Sequence, residues 1–344
     1  MRASAMQRSI GTVIKKTQAL TVHDVARLAG VSTMTVSRAI NTPDKVSPLT
    51  LQKVKQVVAQ IGYVPNAMAS GLRLSRAKLV AAVLPTLTGP VFQETVRSLA
   101  SALDQAGYQL MIGQTGYETS REDALLDAVI RRRPDGIVLV GILHSVEGRR
   151  QLLSSGIPVV ETWDLTPTPI DMLVGFSHER IGESVCRFLA GKGYRRPVLL
   201  TASDPRAQRR LEGFRRAAGT LGLEVPAVVV DAPTTLASGR SAIAETLALY
   251  PQTDAVFCSS DMLALGVLIE LNARGLVVPR DMGVVGLGDI EFARSLDPPL
   301  TTVKIDGVRM GELAAQLIVS RSQGVRIDQH IVDIGFEIVE RDST

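Results

Sequence analysis

Two groups of residues in this chain carry usable chemistry. Near the start, Thr33, Met34, Ser37 and Arg38 fall on one side of a short helical stretch whose other side holds Val36 and Ile40. A guanidinium at Arg38 can pair bidentately with guanine O6 and N7, and Thr33 and Met34 offer small apolar contacts to a thymine methyl. The competing use of Arg38 is a clamp on phosphate with no base readout. Farther along, Asp261 and Asp289 each follow a short apolar run, a position from which a carboxylate accepts hydrogen bonds from ligand hydroxyls. Asp261 serves equally well as a helix N-cap. Phe92, Trp163 and Phe176 suit stacking on a sugar face or packing in an ordinary core, and Thr86, Thr88, Gln114 and Asp164 stand at further strand ends.

The first group needs a scaffold, and the residues around it supply one. Thr21 is a good N-cap, Asp24 completes a capping-box pattern, and Gly30 ends the helix that carries Val25, Leu28 and Ala29. Ser32 caps a second helix from Thr33 to Ile40, so two short helices meet at a Gly-containing turn, a helix-turn-helix. Ser47-Pro48 opens a third helix with Leu51, Val54, Val58 and Ile61 as its buried stripe and Gly62 as its stop, and Pro65-Asn66 opens a fourth segment, Ala67 to Leu74. A bare helical bundle has the same pattern, but charge separates the two readings. Residues 1–78 hold twelve Lys or Arg against Asp24 and Asp44, a net +10, while the rest of the chain is net −6, which together make the overall +4. A basic head on an acidic body is the asymmetry of a nucleic-acid binder with a separate second domain.

The second group needs a sheet. From Leu79 onward β-rich runs recur at 79–84, 109–112, 136–140, 157–161, 197–201, 227–231, 255–258 and 283–287, with amphipathic stretches such as 92–106 and 263–274 between them. Continuous apolar strands separated by helices predict parallel sheets in an α/β body of two lobes, with ligands beyond the carboxyl ends of the strands.

Other classes recede. Cys186 and Cys258 lack any CxxC spacing and fit a reducing compartment, and no run of ~18 apolar residues reaches across a membrane. The N-terminus lacks the apolar core of a secretory signal, so a cytoplasmic protein is expected. His23, His144, His178 and His330 have no metal-ligand spacing. GVVGLGD has the wrong glycine spacing, after the wrong strand, for dinucleotide binding, and no GxxxxGK[ST], GxSxG or HExxH occurs.

The stretches TVHDVARLAGVSTMTVSRAIN and VSPLTLQKVKQVVAQIGYVPNAMASGLR resemble, without a gap, the DNA-binding head of the lactose/galactose-repressor (LacI/GalR) family of bacterial transcription regulators. The phrases VGFSHERIGESVCRFLAGKGYRRPVLL, RRLEGFRRA, SSDMLALGVL, VVGLGD and LDPPLTTVKID resemble the family's effector-binding core, itself similar to periplasmic sugar-binding proteins. ETWDLTPTPIDMLVGF and VVGLGDIEFARSLDPPLTTVKIDG are most similar to its gluconate-repressor branch. The resemblance implies an all-α head with a hinge helix, followed by a two-lobed, periplasmic-binding-protein-like α/β core with three crossovers. It implies that Thr33, Met34, Ser37 and Arg38 face the major groove and that Thr21 is a further DNA contact. Asn66, Ala69 and Leu72 would lie on a hinge helix in the minor groove, with Leu72 as a wedge that kinks the duplex or as a hinge-to-hinge contact. Gly71 weakens that helix, which predicts folding only on DNA.

In the core the resemblance ranks Arg210 first as an effector contact, its guanidinium suited to paired hydroxyls or a sugar-acid carboxylate. The plainer use is an exposed member of the Arg206/Arg209/Arg210 cluster. Asp289, Asp261, Phe176, Trp163, Phe92, Thr88, Gln114 and Asp164 follow, and Ser260 and Gly288 depart from the family's lactose-binding pattern.

The implied boundaries are a basic tail at 1–20, a helix-turn-helix domain at 21–64, a hinge at 65–78 and a core at 79–344. Within the core, one lobe takes 79–176 and 306–334, the other 177–305 and 335–342. The implied function is a repressor of a carbohydrate or sugar-acid operon, with no cofactor, a sugar or sugar-acid effector, and an approximately palindromic operator DNA in the nucleoid. The protein would be a homodimer or a pair of dimers. A sugar-modifying enzyme fused to a DNA-binding head is the competing function.

Overall fold

The computed structural model describes residues 20–63, 77–87, 90–116, 119–142 and 145–344. The chain divides into two compact units, Met1–Ala77 and Lys78–Thr344.

In the first unit, α1 (Val22–Ala29), α2 (Thr33–Asn41) and α3 (Pro48–Ile61) pack pairwise around Val25, Ala29, Val36 and Val54. Each helix starts where its sequence demands. The Thr21 backbone N–H and hydroxyl both donate to Asp24 Oδ2, at 3.0 and 2.8 Å. Ser32 Oγ accepts from the Thr35 N–H at 3.1 Å, and Ser47 Oγ accepts from the Thr50 N–H. Gly30 and Gly62 close α1 and α3 at φ 63° and 69°, the left-handed region that favours glycine. The buried stripe of α3 differs by one residue from the expected one. Val54 and Val57 are buried, while Leu51, Val58 and Ile61 are half-buried, because two neighbouring helices press on the side centred between the expected i, i+3, i+7 positions.

The second unit contains two sheets. In the first, strands run in the order β11-β5-β4-β3-β1-β2, with β1 (Leu79–Leu84), β2 (Gln109–Gln114), β3 (Gly136–Val140), β4 (Val159–Thr162), β5 (Met172–Gly175) and β11 (Ile331–Asp333), all parallel. The second runs β12-β10-β9-β8-β6-β7, from β6 (Pro197–Ala202), β7 (Ala227–Val230), β8 (Ala255–Cys258), β9 (Gly283–Leu287), β10 (Thr301–Lys304) and β12 (Glu337–Val339). Only its β10–β12 pair is antiparallel. The chain passes between the sheets three times: after β5, between β10 and β11, and between β11 and β12. This is the two-lobed parallel α/β core implied by the sequence, with four strands, β5, β10, β11 and β12, beyond the eight read from apolar runs. β10 escaped because it opens on Thr301 and Thr302, whose hydroxyls are satisfied inside by the Arg341 carbonyl and by Asp261. β11 and β12 are three-residue edge strands with no buried run.

Helices α4 (Gln93–Gln105), α5 (Thr119–Ile130), α6 (Val146–Ser155), α7 (His178–Gly191), α8 (Pro205–Thr220), α9 (Leu236–Leu249), α10 (Asp261–Ala273) and α11 (Gly307–Ser322) cover the sheets. Helices α7 and α8 pack backbone against backbone. A Cβ at Gly182 would fall 2.0 Å from the Arg210 carbonyl oxygen, and one at Gly213 would fall 2.0 Å from that of Glu179. Glycine at both positions permits this approach, which brings the first turn of α7 against Arg210. No helix of the described residues is long and apolar enough to cross a membrane.

Candidate functional site

In the first unit, α2 presents Met34 and Arg38 as exposed residues, with Thr33 and Ser37 half-buried beside them. Asn41 Nδ2 donates to Ser37 Oγ at 3.3 Å, leaving the rest of the face open. Thr21 is exposed and occupied with Asp24. Asn66, Ala69, Leu72 and the expected hinge helix lie outside the described residues, as does Thr88.

In the second unit, the carboxyl ends of both sheets converge on connected cavities. A cleft of 780 Å³ is lined by Val91, Glu94, Arg97, Trp163, Asp289 and Glu291, among others. Val91 and Trp163 also line a smaller cavity of 90 Å³, with Phe92, His178, Arg206, Arg210, Thr234 and Ser259. Arg206 and Asp204 in turn border a third, of 190 Å³, which reaches Asp164 and Glu122 under the ends of β1 and β3. The larger opening is the mouth; the concentrated chemistry lies around the smaller cavity.

Arg210 dominates that cavity. It is 5% exposed and so is not the surface member of an arginine cluster. Its Nη1 meets His178 Nδ1 at 2.9 Å, its Nη2 reaches the Ser259 carbonyl at the limit of 3.5 Å, and its Nε has no hydrogen-bond partner among the described residues. No carboxylate lies within ion-pair distance of it among those residues. Burial pulls its pKa down to about 10, so it remains a cation at neutral pH. Asp204 and Asp164 act on it only from beyond ion-pair distance, and a buried cation with no direct ion pair costs free energy that a contacting anion would offset.

Its neighbours differ. Arg209 donates to Asp164 Oδ1 at 2.6 Å. Arg206 stands 3.6 Å from Asp204 and over the Phe92 ring at 5.2 Å, with Nη1 unpartnered. Asp164 is buried, its Oδ2 is unpartnered, and burial raises its pKa against the pull of Arg209. Ser259 Oγ is also unpartnered.

Phe92, Trp163, Phe176 and His178 form a chain of edge-to-face contacts with centroid spacings of 5.0, 5.6 and 4.8 Å. Phe92 and Trp163 line cavities; Phe176 is fully buried behind them and lines none of the three. Trp163 sits at φ 62°, a backbone conformation rare for a bulky residue and characteristic of functional sites. Its Nε1 donates to Thr95 Oγ1 at 3.1 Å.

Four residues expected at the pocket are tied within the chain or lie away from the cavities. Asp261 is fully buried at the first turn of α10, capped not by itself but by Ser260 Oγ. Its oxygens accept from the Thr302 hydroxyl at 2.6 Å and the Ile290 N–H at 2.9 Å, so it holds the β9–β10 connection, and it is fully buried and lines none of the cavities. Asp289 borders the large cleft, but its Oδ1 accepts from Arg341 Nη2 at 2.6 Å. Gln114 ends the edge strand β2 exposed to solvent and lines none of the cavities, and neither does Thr86. Conversely His178, Arg206, Ser259 and Thr234 were missed. The one signal in the chain for them was the spacing of Arg206 one helical turn before Arg210.

A helix-turn-helix unit followed by a two-lobed binding-protein core defines the class of a ligand-responsive DNA-binding regulator. Residues 21–66 match the pattern of bacterial regulatory proteins of the lacI family, and residues 186–344 that of a periplasmic binding protein-like domain. The chain is 33% identical to the HTH-type transcriptional regulator GntR of Pseudomonas aeruginosa over 327 residues, 94% of this chain and 95% of that one. A LacI family transcriptional regulator from Silicibacter pomeroyi superposes with a TM-score of 0.88 at 32% identity, covering 94% of this chain and 99% of that one. The transcriptional regulator CelR in complex with cellobiose superposes at 0.68 with 29% identity, covering 94% and 100%. The chain belongs to the lacI family of bacterial transcriptional regulators; it is not an enzyme of sugar metabolism.

Proposed function

We propose that this regulator is a repressor of a sugar-acid catabolic operon, released or engaged by a small sugar-acid anion of the gluconate type held between the lobes of its core. The observation that carries this reading is Arg210: a buried guanidinium facing a cavity, with a free Nε and no carboxylate partner among the described residues. A carboxylate supplies the missing charge and two acceptors in the geometry a guanidinium fits. Unpartnered Ser259 Oγ and Arg206 Nη1 at this cavity, and Asp164 Oδ2 at the adjoining one, suit hydroxyls, and Trp163 offers an apolar wall. The complex of the relative CelR with cellobiose supports a carbohydrate-derived ligand in this fold.

On the DNA side, the reading is a homodimer, or a pair of dimers, acting in the cytoplasm on an approximate palindrome, with Thr33, Met34, Ser37 and Arg38 of each α2 in the major groove. Asn66, Ala69 and Leu72 complete it in the minor groove. Effector closure and operator affinity are then linked reciprocally.

The chain has one tryptophan, and it borders the cavity, so its emission reports the site directly. Sodium gluconate is expected to raise the thermal transition and change Trp163 emission, and to alter retention of a selected palindromic DNA, whereas neutral glucose does neither. Equal responses to glucose and gluconate would remove the anion from the reading.

A further inference from the structure

We propose that His178 is the positioning residue of this cleft: as a neutral imidazole protonated on Nε2, it holds the Arg210 guanidinium in its ligand-binding orientation and ties it to the backbone of the other lobe. This rests on the reading of Arg210 as the effector anchor.

His178 Nε2 lies 3.0 Å from the Trp163 carbonyl oxygen, which can only accept, so Nε2 carries the proton. Nδ1 is then a lone pair, and it accepts from Arg210 Nη1 at 2.9 Å. The ring is 3% exposed and held edge-on by Phe176, so its orientation is fixed by packing as well as by both nitrogens. Burial disfavours a second proton, which would also point an N–H at the Arg210 guanidinium, with Arg206 and Arg209 adding to the repulsion; the site keeps the imidazole neutral. The placement crosses the cleft. Trp163 follows β4 of the first sheet, Arg210 belongs to α8 beside the second, and His178 is the first residue of α7, directly after the chain leaves β5. With Nη1 occupied by His178, the Nε edge of Arg210 is left for the anion.

The two nitrogens can be separated by substitution. In His178→Asn the side-chain oxygen falls near the place of Nδ1 and keeps the acceptor for Arg210. In His178→Gln the amide nitrogen falls near Nε2 and keeps only the donor to Trp163, and His178→Phe keeps neither. Full-length variants are titrated with sodium gluconate, following Trp163 emission, and their thermal transitions are recorded without gluconate. The expected result is a Kd within about threefold of the parent for Asn and weakening by about tenfold or more for Gln and Phe, the loss of a hydrogen bond to a charged group. A merely structural role would rank the variants by thermal transition instead. Phe binding as tightly as the parent, or Asn binding as weakly as Phe while folded, overturns the proposal.

Ring ¹⁵N NMR of the ligand-free protein, with the His178 signal assigned from its loss in His178→Asn, decides independently of any ligand. Protonation on Nε2 alone is expected, and an Nδ1-protonated or doubly protonated ring at pH 7 overturns it. If that spectrum is as expected but the parent ignores gluconate, the effector reading has failed and the His178–Arg210 arrangement has not.

Discussion

Two buried charges in the second lobe, Arg210 on α8 and Asp261 on α10, are both candidate effector contacts in the sequence and are satisfied very differently in the structure. Asp261 has both oxygens answered from within the chain, by Thr302 and Ile290. Arg210 is answered by a neutral imidazole and a distant carbonyl, and its Nε by nothing described. Burial alone therefore does not mark a ligand contact. What marks it is burial with hydrogen-bonding capacity left over at a cavity wall, because such a group costs free energy until something arrives from outside.

The largest test of that contrast is Arg210→Met. Removing a buried, partly unsatisfied cation is expected to leave the thermal transition unchanged or higher, while gluconate affinity falls by about a hundredfold or more. A variant that kept gluconate binding would make Arg210 structural after all. Asp261→Ala should do the reverse. Leaving Thr302 and Ile290 unanswered and opening a void is expected to cost about 3 kcal/mol by urea unfolding, with gluconate affinity of the folded fraction changed less than about threefold.

The two sites also respond oppositely to pH. Burial pushes the Asp261 carboxyl up to about 6 from 3.8, so the folded protein binds this proton more tightly than the unfolded chain does. Its contribution is fully present below 3.8 and is lost as pH rises through about 6. Burial and the adjacent guanidiniums of Arg210, Arg206 and Arg209 hold His178 well below 6.5, so its contribution is present above 6.5 and lost as pH falls below it. Urea unfolding between pH 4 and 7 should show the gap between the parent and Asp261→Asn narrowing with rising pH, and that between the parent and His178→Asn widening.

A smaller effect extends the contrast to the head, where Arg38 is exposed on α2. Arg38→Ala should weaken selected palindromic DNA by about tenfold to a hundredfold more than random DNA, and equal losses would make it a phosphate clamp. The smallest concerns Asp289, which resembles Asp261 in being tied internally. Arg341→Ala releases it from a partly buried pair and should lower stability by about 1 kcal/mol, with gluconate affinity nearly unchanged.

Much of the head was legible in residues 20–63, where caps and stops are local. Thr21, Ser32, Ser47, Gly30 and Gly62 each act within one turn of their own position, so the helices of the head could be placed nearly to the residue. In the core, apolar runs revealed eight strands, and the polar-started or three-residue strands β10, β11 and β12 were invisible because their burial or pairing comes from distant segments. Among the candidate pocket residues, Trp163 and Phe92 could be picked by type and place, and Arg210 by the family resemblance. His178 could not, since its two partners lie 15 and 32 residues away and a search for metal-ligand spacing passes over a histidine that serves as an acceptor.

By itself the sequence determined the division into a basic head and an acidic body, the helix-turn-helix, the parallel α/β class and an arginine-rich turn before Gly213, all properties set by local spacing and composition. Only the tertiary structure decided which charges are satisfied inside the chain. Whether Asp261, Asp289 or Arg210 has capacity left for a ligand depends on Thr302, Arg341 and His178, brought beside them by strand pairing, by the C-terminal segment and by the glycine contact of α7 with α8. Hydrogen-bond satisfaction is a property of three-dimensional neighbours, and no periodicity along the chain encodes it.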